Sequence, residues 1–178
     1  MRLHSKLNFS VLSFLIIPIM IFWNPQFLSL MGVQPYWPLF WLLPWAIIYG
    51  PMNGFFSGIF LGLFLDALNN DYHSQIPGLV ICGIWFGRLS VSRDSINKFK
   101  FGLLTSMGTL ICGLVYFSQI ILFSSNLKSF YLFSFAIKNI FSQVFLTGIL
   151  APIFCSWLFL LFDNRKLEVN KFRNPTST

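Results

Sequence analysis

Gly50-Pro51-Met52-Asn53-Gly54-Phe55-Phe56-Ser57-Gly58-Ile59-Phe60-Leu61-Gly62-Leu63-Phe64-Leu65-Asp66 carries a glycine at every fourth position and ends on an acid. On a helix of 3.6 residues per turn, each step of four advances about 40° beyond a full revolution, so the column from Gly54 to Asp66 winds through roughly 120°. The column is a slanted groove rather than a straight face. That shape suits the right-handed crossings, near about −40°, of small-xxx-small pairs in lipid. Packing against a neighbouring helix of the same chain is favoured over a homodimer seam, because such spacing is general glue in membrane bundles. The stretch also closes the longest uncharged run: no Asp, Glu, Lys, Arg or His occurs from Leu7 to Leu65, 59 residues. Water is a poor solvent for such a run and hydrocarbon a good one.

Working outward, hydrophobic residues make up 56% of the 178 and charged residues only 10%, against about 25% charged in an ordinary soluble domain. Phe alone contributes 23 residues, more than a water-facing surface hides. The chain reads as an all-α, polytopic integral membrane protein in one unit, 1–163, followed by a polar tail, 164–178. The net charge of +7 would suggest nucleic acid on a soluble chain, but ten of the twelve Lys/Arg sit in three clusters between apolar runs. Those clusters are Arg2 and Lys6; Arg88, Arg93, Lys98 and Lys100; and Arg165, Lys166, Lys171 and Arg173. This is the positive-inside pattern, with the bilayer and not nucleic acid as the partner.

About 20 apolar residues cross the hydrocarbon. Asn24-Pro25 and Gly50-Pro51 divide the long run, giving spans near 7–24, 35–49 and 52–68. The first imitates a signal peptide, but Trp23-Asn24-Pro25-Gln26-Phe27 is a poor cleavage site, and a retained span is expected. Span 2 carries Pro38 and Pro44, which kink or tilt it, and its Trp37, Trp41 and Trp45 read as a lipid-facing or interfacial stripe. The run near 74–88 is the weakest candidate and either crosses or re-enters. Two further spans fall near 101–124 and 138–162. Six spans place both termini and all three basic clusters on the cytoplasmic side, with Lys128 and Lys138 outside.

The polar groups within these runs have plain readings beside sharper ones. Asp66 is either a hydrated interfacial acid that ends its span or a buried anchor for a neighbouring helix or partner. Asp66, Asp71 and His73 lack a second ligand at metal spacing, so a solvated turn is expected there and no metal or cofactor. Gln119, Gln143 and Thr147 are expected to bond between helices. Cys82, Cys112 and Cys155 lie in separate apolar runs without CxxC spacing and read as small hydrophobes. No G-x-S-x-G, H-E-x-x-H, P-loop or GxGxxG occurs, and a single acid within a span cannot form an aspartyl dyad. The reading is non-enzymatic.

The stretch from Gln34 to Leu89 opens with Val33-Gln34-Pro35-Tyr36-Trp37-Pro38-Leu39, continues through the glycine column and ends on a glycine-bearing run at Arg88. It resembles the rod shape-determining MreD family, whose core is G-xxx-G-xxx-G-L-xx-D. Gly54, Gly58, Gly62, Leu63 and Asp66 match that core residue by residue. The loop Asn69-Asn70-Asp71-Tyr72-His73 departs from the Gly- and Ser-rich loop usual in the family.

The resemblance implies a non-enzymatic scaffold of the bacterial elongation machinery in the inner membrane. Its partner would be MreC, and through MreC it would act with MreB and the lateral cell-wall synthases. It also implies a fold like the six-helix substrate-binding subunits of energy-coupling-factor transporters. The five core residues then serve helix packing or partner binding. The alternative is a substrate-binding membrane subunit of a vitamin-type transporter, which requires convergent polar groups among apolar walls at the outer face.

Overall fold

A computed structural model describes residues 29, 32–68, 73–89, 98–123 and 130–173. Those residues form five helices: α1 Trp37–Tyr49, α2 Pro51–Leu68, α3 Ile76–Arg88, α4 Lys98–Phe123 and α5 Phe130–Arg173. The all-helical architecture follows from a backbone that has to satisfy its own polar groups when water is excluded.

Helix α1 is the centre. Ten of its 13 residues are buried, so it is apolar all round rather than one-sided. Pro38 stands in the first turn, where its missing N–H leaves nothing unsatisfied. Pro44 is internal and frees the carbonyl one turn back, at Phe40. The Cys155 thiol of α5 lies 3.6 Å from that carbonyl and donates to it. The helix stops at Gly50, whose φ of 92° belongs to glycine, and Pro51 begins α2 at once.

The tryptophan stripe is a correction to the sequence reading. Trp37 and Trp41 are 6% and 4% exposed, not lipid-facing. Trp37 meets Phe40 and Phe154 edge-on at 5.6 and 5.8 Å, and Trp41 stacks on Trp45 at 4.9 Å. A helix without a polar face carries no mark of which side is out, so periodicity alone assigned the stripe to the wrong solvent.

The outward faces lie on α2, α4 and α5. Met52, Phe56, Phe60 and Leu63 project from α2, and Phe141, Phe145, Ile149 and Ile153 from α5, each more than half exposed. Apolar faces of this extent suit hydrocarbon. Pro51–Leu68, Phe99–Leu122 and Ala136–Phe162 are long and apolar enough to cross a membrane. The helices in the places expected for spans 2 and 4 have 13 residues each, about 20 Å, short of the roughly 30 Å of a hydrocarbon core. The span expected near 7–24 lies outside the described residues. Helix α5 has 44 residues, about 66 Å, so its backbone continues through the first part of the stretch read as a tail.

Candidate functional site

The glycine column and Asp66 lie together on one side of α2, and they face α3. The two helices run antiparallel, and their contact brings backbone against backbone. A Cβ placed on Gly58 would stand 2.8 Å from the Leu79 carbonyl oxygen and 3.0 Å from Val80 Cα. One on Gly62 would stand 2.6 Å from Ile76 Cα. Gly54 and Gly83 oppose each other so closely that a Cβ on either would strike the other's carbonyl oxygen, and Gly87 abuts Pro51 in the same way. The seam is therefore reciprocal: Leu79, Gly83 and Gly87 on α3 answer the column on α2. Gly50, the first member of the column, forms the turn instead.

Leu63 does not join this seam. It is 54% exposed, on the outward side with Phe56 and Phe60. The five residues matched to the core thus divide, four into the α2–α3 contact and one away from it.

Asp66 acts as an anchor within the chain. Its Oδ1 accepts the Gln75 backbone N–H at 2.8 Å, and its Oδ2 accepts the Ser74 hydroxyl at 2.6 Å. Gln75 is the N-cap residue of α3, so the carboxylate lies at the positive end of that helix, where an anion is favoured. Ser74 Oγ in turn accepts the Ile76 N–H at 3.2 Å. The Ser74 carbonyl accepts the Gln119 amide at 2.9 Å, which ties α4 to the same point. Asp66 is only partly buried, in the last turn of α2, and both its carboxylate oxygens bond to the start of α3.

A polar chain continues from there. The Tyr36 hydroxyl donates to Gln75 Oε1 at 2.9 Å. The Tyr36 N–H donates to Thr147 Oγ1 at 3.1 Å, and Thr147 donates to the Gln143 carbonyl at 2.6 Å. Gln119 and Thr147 bond to the segments that lead into α3 and α1, and among the described residues the helix-to-helix bond expected of Gln143 is not made. Beside this chain opens a cavity of about 670 Å³, walled by the 32–36 segment, the start of α3, α4 and α5. The cavity collects its polar groups from four segments. The missed signal was the four-residue spacing of Asn139 and Gln143 on one face of α5.

Asp71 lies outside the described residues, and the His73 ring packs against Tyr116 with centroids 5.7 Å apart. Among the described residues no three His, Cys, Asp or Glu side chains are placed to hold a metal. Cys82 and Cys112, remote in sequence, come together: their Sγ atoms are 3.6 Å apart between α3 and α4. A second small-residue contact joins α4 and α5, where a Cβ on Gly102 would stand 2.9 Å from the Gly148 carbonyl oxygen. Its signal, Gly102-xxx-Ser106 facing Gly148-xxx-Pro152, is of the same kind as the column on α2.

No protein-family model matches this chain, and neither a curated protein nor a solved structure is similar enough to it to indicate kinship.

Proposed function

We propose that this chain is a non-enzymatic, MreD-like scaffold of the bacterial cell elongation machinery. It sits in the inner membrane as six membrane segments with both termini cytoplasmic and a fold like that of the energy-coupling-factor substrate-binding subunits. Its partner is MreC, and through MreC it helps position MreB-directed lateral peptidoglycan synthesis. The observation that carries this reading is the G-xxx-G-xxx-G-L-xx-D core: four of its residues, Gly54, Gly58, Gly62 and Asp66, build one tight hairpin. A motif that only packed helices would not need its leucine outside the seam. Leu63 stands with Phe56 and Phe60 on the opposite face.

In this reading the hairpin is a stiff support, and the α2 outward face receives the partner's single membrane helix. Asp66 contributes by holding α3 in place rather than by touching MreC, since both its oxygens are engaged within the chain. The test places a photo-crosslinking residue at Phe56, Phe60 or Leu63 and, as a control, at Phe141 on α5, in cells that make MreC. Crosslinks to MreC from the α2 sites and not from Phe141 are expected. Crosslinks from neither helix, or only from α5, remove the proposal.

A further inference from the structure

The cavity at the Asp66 end of the bundle has walls suited to neither bulk lipid nor bulk water. Its volume of about 670 Å³ falls within the range of roughly 300–1,000 Å³ typical of small-molecule sites. Val33, Val115, Ile120 and Ile140 supply apolar wall. None of the described lining residues carries a charged side chain.

Two lining residues stand out. Asn139 and Gln143 lie one turn apart on α5 and both border the cavity. Among the described residues, neither side-chain amide makes a hydrogen bond, although the Gln143 backbone carbonyl accepts from Thr147. Each amide offers two donors and an acceptor. Both residues are partly buried, and their amides open onto the cavity, where water or a ligand can bond them. Across the cavity the Tyr36–Gln75 hydrogen bond uses Gln75 Oε1 and leaves the Gln75 amide nitrogen for an acceptor.

We propose that this cavity binds an uncharged amphiphile. Its head, bearing hydroxyl or amide groups, pairs with Asn139, Gln143 and Gln75, and its apolar body lies against Val115 and Ile120. An ionic head is disfavoured, because burial without a counter-charge is heavily penalised. The site lies on the opposite side of α3 from the glycine seam: Gly78, which borders the cavity, faces Cys112 of α4. The inference is independent of the scaffold reading and stands if MreC is not the partner.

The same head can arrive on a membrane lipid or on a molecule from water. Two probes separate these sources: 1-monooleoylglycerol, doped into phosphatidylcholine nanodiscs holding the full chain, and its water-soluble short-chain counterpart, monobutyrin. Thermal unfolding is followed by tryptophan fluorescence. At a hundredfold excess over Kd the bound probe should raise the midpoint by roughly 5–10 °C. A shift with monooleoylglycerol alone assigns a lipid; a shift with monobutyrin as well assigns recognition of the head by itself.

The double variant Asn139→Leu/Gln143→Leu should abolish the shift while its probe-free midpoint stays at or above that of the wild type. Val115→Trp, which fills the cavity from α4, should abolish the shift too and serves if the double variant does not fold. The proposal is overturned if neither probe moves the wild-type midpoint, or if the variants respond as fully as the wild type. A lower probe-free midpoint in a folded double variant also overturns it, because the amides would then be serving the protein's own packing.

Discussion

Gly58→Ala tests the α2–α3 seam most directly. The added methyl carbon would meet the Leu79 carbonyl oxygen at 2.8 Å, the Leu79 carbonyl carbon at 3.0 Å and Val80 Cα at 3.0 Å, where ordinary contact begins at 3.4 Å. All three are backbone atoms, so no side-chain rotation relieves the overlap. The helices have to separate by roughly half an ångström, which forfeits about a quarter of the dispersion attraction across the contact. Overpacking of this kind costs about 1–3 kcal/mol, and the better helix propensity of alanine returns at most about 1 kcal/mol. The expected net is a loss of about 1–2 kcal/mol, and Gly58→Leu should exceed it.

Gly113→Ala is the internal control. Its Cβ would meet only side-chain atoms of Ile140, at 3.1–3.5 Å, which can turn aside. The expected effect there runs from neutral to a gain of up to about 1 kcal/mol. Unfolding of both variants in rising sodium dodecyl sulfate, followed by circular dichroism, compares them in one assay. If Gly58→Ala is as stable as the wild type, or if the two alanines behave alike, the seam does not rest on backbone proximity and the reasoning fails.

Asp66→Ala removes both acceptors at the start of α3 and should cost about 2–3 kcal/mol, whereas Asp66→Asn keeps an acceptor for the Gln75 N–H and should cost about 1 kcal/mol. Hydrogen exchange of the 73–80 peptide should speed up in the same order; unchanged exchange in the alanine variant would refute the anchor. Cys82 and Cys112, with Sγ atoms 3.6 Å apart, have to close to about 2.05 Å to join. Oxidation with diamide should therefore block maleimide labelling of two of the three thiols in the denatured protein, and Cys112→Ser should prevent the loss. Three thiols still open to label after oxidation of the wild type would count against that contact.

How much of this was legible differs from residue to residue. The column from Gly54 to Asp66 identified both a close-packed helix and the acid at its end, because small side chains at four-residue spacing have one main use in lipid. Its partner column on α3 was also written, as Gly83-xxx-Gly87, but pairing two columns needs their heights in the bundle, and spacing does not encode height. Trp37 and Trp41 were misread because α1 is apolar on every side and composition cannot separate a buried face from a lipid-facing one. Gln143 was read as a bond between helices and Asn139 carried no reading at all, and only the approach of the 32–36 segment and α3 makes them the wall of a cavity.

The amino-acid order by itself pointed to hydrocarbon and to helix, since an uncharged run of 59 residues is poorly solvated by water and divides into segments near the roughly 20 residues that a membrane helix needs. It also determined where two backbones can touch, since only glycine leaves that room. The tertiary structure alone decided which helix occupies the middle, that Asp66 is spent on α3, and that Cys82 meets Cys112. The reason is physical: in an apolar medium nearly every face of these helices is equally acceptable to lipid, so the choice between neighbour and solvent is made by shape and hydrogen bonding across residues far apart in the chain.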